Sequence, residues 1–167
     1  MKINKDKKFL AQPCVDVPEK DFPMVAGILK RELFQLNNPK HTAYGLACNQ
    51  IGLRYRAFAM MIQGVPDLPS NADIIEEGTF VTGMLCFINP KVLDMWGTAS
   101  NLKEKCLSLK KQFKVSRRYN IIVTDDLVLK GKPLTLYGLN SKIFQHEMDH
   151  LNGITIETRS KTDDSNR

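Results

Sequence analysis

The chain has 167 residues, 43% hydrophobic and 25% charged, enough for one domain with its own core and short of two. No apolar run reaches membrane-spanning length, and the lysine-rich start over residues 1–8 has no hydrophobic stretch behind it, so neither a membrane protein nor a secreted one is expected and the cytoplasm is the expected location. The net charge of +6 fits a soluble basic surface or attraction to a ribosomal one, while the lysine runs at 2–8 and 103–114 lack the interleaved aromatics of a nucleic-acid-binding module, so no DNA partner is expected.

Residues 1–20 read as extended and irregular, punctuated by Pro13 and Pro18. Asp21 is placed to cap a helix with Pro23 in its first turn. Val25, Ile28, Leu29, Leu33 and Leu36 recur at helical spacing until Asn37-Asn38-Pro39 stops the run. This is a packing helix with no visible chemistry. The small residues of 43–52 suit a backbone approached closely by a ligand or another element. Residues 56–62 read as a strand, and 63–82 as a long polar surface loop. Residues 84–88 form a short strand closed by Asn89-Pro90, and 92–96 continue a meander. Residues 121–124 and 133–136 look like two strands joined through Lys130-Gly131-Lys132. A helix carrying His146 follows, then a final strand at 154–156 and a frayed polar tail at 161–167. The class is α+β, one domain over 1–167, with antiparallel strands and turns packed around a central metal-binding helix.

The chemistry begins with that helix. His146-Glu147-Met148-Asp149-His150 contains H-E-x-x-H, and on a helix residues four apart share a face, so both imidazoles can point at one metal ion. Glu147, one step round, is placed to handle protons on a metal-bound water rather than to ligate. The face continues through Ile143 and Leu139, predicting a buried apolar stripe that ends in the metal site. Tyr137-Gly138 offers an entry to the helix and Asn152-Gly153 an αL terminator. The plainer alternative is a surface helix that happens to carry two histidines.

A catalytic metal site has three protein ligands and keeps a position for water. Only 17 residues follow His150, with Glu157, Asp163 and Asp164 as their sole candidates. The first is too close and the others lie in the tail, so the third ligand is expected upstream and a zincin-type protease is disfavoured. The four cysteines, Cys14, Cys48, Cys86 and Cys106, have no C-x-x-C pairing and read as separate thiols. Of these, Cys106 sits in a turn-like context where a thiolate would suit a borderline metal.

Gly45-Leu46-Ala47-Cys48-Asn49-Gln50, Glu104-Lys105-Cys106-Leu107-Ser108 and the histidine motif resemble, in order and spacing, three motifs of the peptide deformylases: G-x-G-x-A-A-x-Q, E-G-C-L-S and H-E-x-D-H. The likeness runs from about residue 9 to 153. It implies that Cys106, His146 and His150 hold one divalent metal, Fe²⁺ in the family's native enzymes, with Zn²⁺ or Ni²⁺ able to replace it. It implies Glu147 as proton acceptor and donor, and the Gln50 side chain and Leu107 backbone N–H as donors to the oxyanion. The substrates would be N-formylmethionyl nascent peptides, and the products formate and a free amino terminus. Tyr44, Gly45, Leu139 and Ile143 are expected around the methionine side chain, with Leu107 beside them and Glu104 at the same substrate site. Arg117 matches a recurrent family arginine that could pair with Glu104 or Asp149 behind the site; an ordinary surface charge is the alternative for it.

Three positions depart from the motifs: Ala43 and Lys105 replace glycines, and Cys48 an alanine. Lysine is tolerable at 105 if the backbone there is extended, and strained if φ is positive. The loop at 63–82 is longer than in compact bacterial forms, and no C-terminal helix is expected, a resemblance to the shortened deformylases encoded by bacteriophages. The competing reading is a catalytically weak metal-bound relative that binds peptide N-termini. A monomer is expected, in the cytoplasm of a bacterium or of a phage-infected one, with the ribosome near its exit tunnel as a candidate partner.

Overall fold

The computed structural model describes residues 2–37, 42–64, 73–77 and 80–165. A short helix, α1 (Lys7–Leu10), is capped by Asp6, whose carboxylate accepts from the N–H groups of Lys8 and Phe9. The apolar spacing from Val25 onward yields α2 (Phe22–Leu36), which buries Val25, Ala26, Leu29 and Leu33. Asp21 stands at its N-cap position, but its side chain makes no capping hydrogen bond. The small-residue segment becomes β1 (Gly45–Ala47) and a tight turn of 3-10 helix, Cys48–Ile51, which Gly52 closes at φ 83°.

β2 (Ala57–Gln63) pairs antiparallel with β1 on one side and with β4 (Phe80–Ile88) on the other, and β3 (Asp73–Glu77) adds to the far edge of β4. The loop expected over 63–82 is corrected here, because two of its segments are strand. β-branched and aromatic residues at 74–75 and 80–82 favour pairing once a neighbouring strand is available. The remainder of that loop, 65–72 and 78–79, lies outside the described residues. β2 is buried on both faces, which explains its nearly unbroken apolar run. Ala57 and Ala59 face α2, while Phe58, Met60 and Ile62 face the opposite core.

A second sheet consists of β5 (Lys91–Glu104), β6 (Phe113–Thr124) and β7 (Leu134–Tyr137), in that order and antiparallel. β5 and β6 both run well beyond the apolar stretches visible in sequence. Register shifts between Val92 and Asp94 and between Trp96 and Ala99 break the period of two in β5. In β6 the inward position between Val115 and the apolar end is filled by Arg117.

Between the sheets lies α3 (Gly138–Leu151), packed on β1 and β2 from one side and on β6 and β7 from the other. Phe144 seats it, meeting Phe58 and Phe87 edge-on at centroid distances of 5.0 and 5.1 Å. Its buried apolar residues are Ile143, Phe144, Met148 and Leu151; Leu139, expected in the same stripe, is 47% exposed. Gly153, at φ 72°, ends the helix and passes so close to Ala11 that a Cβ would lie 2.6 Å from the Ala11 carbonyl oxygen.

The expected final strand at 154–156 is corrected here, because Ile156 opens a short helix, α4 (Ile156–Ser165), which also takes in residues 161–165 of the expected frayed tail. Thr155 starts it by accepting from the Thr158 N–H, and Ile156 is buried with Cys106 and Val115. Beyond Ile156 the helix is polar and has no apolar stripe, so its sequence carries none of the periodicity by which helices are found.

Candidate metal centre

α3 presents His146 and His150 toward the turn after β5, where the Cys106 carbonyl accepts from the Leu109 N–H. The Cys106 Sγ lies 3.2 Å from His150 Nε2, and one ligand atom from each of Cys106, His146 and His150 falls within 4.8 Å of the others. One thiolate and two imidazoles are a donor set for zinc or ferrous iron, and three protein ligands leave room for a fourth. These residues therefore fit a catalytic divalent metal.

A run of ion pairs behind the site orients His146. Its Nδ1 is 2.8 Å from Glu104 Oε2, which directs Nε2 to the centre. Arg117 holds both oxygens of Glu104, at 2.8 and 2.9 Å, and donates to Asp149 Oδ2 at 2.5 Å. Arg159, from α4, grips Asp149 from the other side. Arg117 is 3% exposed and bridges both carboxylates, which removes the surface-charge reading. Burial would raise the Glu104 carboxyl, but its hydrogen bonds to Arg117 and His146 prevail and hold it at about 2. Burial would lower the Arg117 guanidinium, but Glu104 and Asp149 outweigh it and keep Arg117 charged. Burial lowers the His146 imidazolium, yet hydrogen bonds to Cys106 and Glu104 and the Glu147 charge raise it to about 10. Protons thus compete with a metal for His146. His150 is pushed well below the usual histidine range, by burial and then by the charges of His146 and Arg117.

Glu147 is 3% exposed, and its Oε2 has no hydrogen-bond partner among the described residues. Burial pushes its carboxyl up, with His146 pulling the other way, to about 7. The space it occupies exists because β1 passes it as glycine: a Cβ on Gly45 would lie 2.3 Å from Glu147 Oε1. Gln50 is oriented as firmly. Its carbonyl oxygen accepts from the Ala47 N–H at 2.9 Å, which turns the amide NH₂ toward Cys106 Sγ at 3.5 Å and Ser108 Oγ at 3.4 Å. Asn49 donates to the His150 carbonyl at 2.7 Å, tying the same turn to α3.

A groove of about 1060 Å³ opens over the centre. Tyr44, Gly45, Glu104, Leu107, Leu139 and Ile143 all line it, with Gln50, Cys106, His146 and Glu147. Tyr44 and Leu139 are exposed, whereas Ile143 is buried. Glu104 reaches the groove, but both its oxygens serve Arg117 and His146.

Lys105 is not strained: among the described residues, the non-glycine positions with positive φ are Asn89 and Lys130. Ala43 and Cys48 are buried in the core under α2, and both backbone polar groups of Ala43 bond the Asn37 side chain. Sequence reasoning missed Arg159, because nothing in the sequence pointed to α4, and Asn49, which no motif position distinguishes.

The family model described as polypeptide deformylase matches residues 2–166. A peptide deformylase of Wolbachia pipientis subsp. Culex pipiens is 36% identical over 112 residues, covering 66% of this chain and 60% of that protein. The chain spans 60% of the length of that relative and of two further Wolbachia deformylases it matches. Among solved structures, a probable peptide deformylase from Synechococcus phage S-SSM7 superposes with TM-score 0.73 at 22% identity, over 95% of this chain and 99% of that one. The deformylase of Vibrio parahaemolyticus bacteriophage VP16T, solved in complex with actinonin, gives TM-score 0.67 at 27% identity, over 93% and 99%.

Proposed function

The chain belongs to the polypeptide deformylase family, and from that membership we propose that it is a metal-dependent hydrolase removing the formyl group from N-formylmethionyl peptides. The observation that carries the reading is the convergence of Cys106, His146 and His150 on one point, with Cys106, His146 and the buried Glu147 lining one groove. The three residues would hold a divalent metal, Fe²⁺ by family likeness, with Zn²⁺ and Ni²⁺ compatible with the same donors. When bound, the metal supplies Lewis acidity toward the formyl carbonyl and lowers the pKa of its water.

Glu147, titrating near neutrality, takes the proton of the attacking water and returns it to the departing amine nitrogen. Gln50 Nε2, its amide fixed by Ala47, and the Leu107 N–H donate to the oxyanion as it forms. Glu104 holds His146 in its ligating orientation. Ile143, Leu139, Tyr44 and Gly45 offer the methionine side chain an apolar surface beside the reacting carbon. Formate and a peptide with a free amino terminus leave. The substrates are then nascent chains emerging from the ribosome, met in the cytoplasm of a bacterium or of a phage-infected one by a monomeric enzyme. A catalytically weak relative would be favoured by departures that disturb the site, but Ala43 is buried under α2 and Lys105 is unstrained, so neither favours it.

The test is formate release from formyl-Met-Ala-Ser by anaerobically prepared, Fe²⁺-loaded protein beside a Glu147→Ala control. Release by the native chain and none by the control is expected. No release from protein carrying one metal per chain would overturn the reading.

A further inference from the structure

We propose that the groove selects peptides with acidic side chains just after the formylated methionine, a specificity that rests on the hydrolase reading above. Five lysines line it: Lys103, Lys105, Lys110, Lys111 and Lys142. Two acids line it with them, and both are engaged elsewhere. Glu104 is held by Arg117 and His146, and Glu147 is buried against Gly45. The ion pairs of the described residues use other cations, so none of the five lysines is neutralised within 4.0 Å by a carboxylate of the described chain.

Their placement follows the path a substrate must take. Lys105 directly precedes the ligand Cys106, and Lys142 lies one helical turn before His146, so these two flank the reacting end. Lys103 stands two residues back along β5, and Lys110 and Lys111 lie past the Cys106–Leu109 turn. Lys103 is also paired directly across from Lys114 in the β5–β6 ladder, a like-charge arrangement that costs local stability. Positive charge is thus concentrated here against the preference of the sheet.

The groove itself determines what meets these lysines during turnover. The five lysines line the same groove as Cys106, His146 and Glu147, so a peptide whose formyl carbon lies at these groups runs out among the lysines. An extended chain rises about 3.3 Å per residue and turns successive side chains to opposite sides. The side chains following methionine therefore pass the ammonium groups at close range, and carboxylates there gain ion pairs that neutral side chains lack.

The experiment compares kcat/KM for formyl-Met-Ala-Glu-Glu with that for its near-isosteric neutral counterpart formyl-Met-Ala-Gln-Gln, using Fe²⁺-loaded full-length protein. The acidic peptide is expected to lead by roughly fivefold to tenfold at low ionic strength, the sum of two partly exposed ion pairs. The difference should lie mainly in KM and shrink toward parity in about 0.5 M KCl. The triple variant Lys103→Gln/Lys105→Gln/Lys142→Gln should bring the ratio near one, and a ratio of two substrates on one preparation does not depend on how much of it is folded. Turnover of both peptides at equal efficiency by the native chain would overturn the inference and leave the hydrolase reading intact. Equal efficiencies together with inhibition by single-stranded RNA would also overturn it, assigning the lysines to a polyphosphate partner. Turnover of neither peptide would remove the hydrolase reading and this one with it.

Discussion

Gly45→Ala separates the chemistry from the fold. A Cβ at this position would stand 2.3 Å from Glu147 Oε1, 2.7 Å from its Cδ and 3.0 Å from its Cγ, where an ordinary contact is 3.4 Å or more. β1 cannot easily retreat: Gly45 is in register with Met60, and the Tyr44 carbonyl accepts from the Met61 N–H at 2.8 Å. The carboxylate sits at the end of a flexible side chain beside an open groove, so it yields, by about 1 Å. A misplacement of that size costs on the order of 10²-fold in rate. The stability cost is small, because the displaced group has room, and alanine restricts the unfolded chain by about 0.4–1 kcal/mol in compensation. The variant should therefore lose roughly 100-fold in formate-release kcat/KM, keep its metal, and melt within about 2–4 °C of the native chain, the shift per 1 kcal/mol for a domain of this size. Activity within threefold of native, at unchanged metal content, would refute the assignment of Glu147 as the proton-transfer group.

Replacing Arg117 by leucine leaves Glu104 and Asp149 buried without their shared cation and should cost about 3–5 kcal/mol in urea unfolding. Arg159→Leu, whose side chain is 32% exposed, should cost about 1 kcal/mol; equal losses would contradict the central place given to Arg117. Stripping the metal with a chelator should lower the melting temperature by roughly 5–10 °C, as expected for a ligand held at about 100 times its Kd. Cys106→Ala should abolish that difference, and an unchanged melting temperature for the stripped native chain would show that the three residues do not share an ion. Glu104 titrates at about 2 folded against an ordinary 4.5, so the folded chain binds fewer protons there between those values. Its contribution, roughly 3 kcal/mol, is complete above pH 4.5 and lost as pH falls through about 2. Urea stabilities of the native chain and Glu104→Gln should converge on acidification, and a constant gap would count against the pairing.

The metal helix was legible because its chemistry is periodic. Two histidines four residues apart need only a helix to meet, and Gly153 marks where that helix ends. α2 was legible for the same reason, through its apolar spacing. What escaped depended on partners distant in sequence. α4 has a polar sequence that becomes helical on Thr155 and on Ile156 buried beside Cys106 and Val115. β5 and β6 are long because each is the other's partner, through register shifts that erase alternation. For Arg117 the sequence leaves two readings open, a pair with Glu104 or Asp149 and an ordinary surface charge, and its placement against α3 decides for a buried bridge to both carboxylates.

The three departures from the family motifs follow the same geometry. Along the first motif, Gly45 and Ala47 turn toward α3 and its cluster, while Leu46 and Cys48 turn toward the core under α2. The changes at Ala43 and Cys48 both fall on the α2 side. Burial pushes the Cys48 thiol far above the usual cysteine range, so it packs as a small neutral hydrophobe rather than as a competing metal ligand. Lys105 differs in kind. It is exposed, unstrained and adjacent to Cys106, and it brings a cation to the groove wall where the family motif has no side chain. Substitutions behind β1 repack the core without reaching the reacting atoms. The substitution beside Cys106 leaves Cys106, His146, His150, Glu147 and Gln50 in place, and under the proposed function it changes the charge that an incoming peptide would meet.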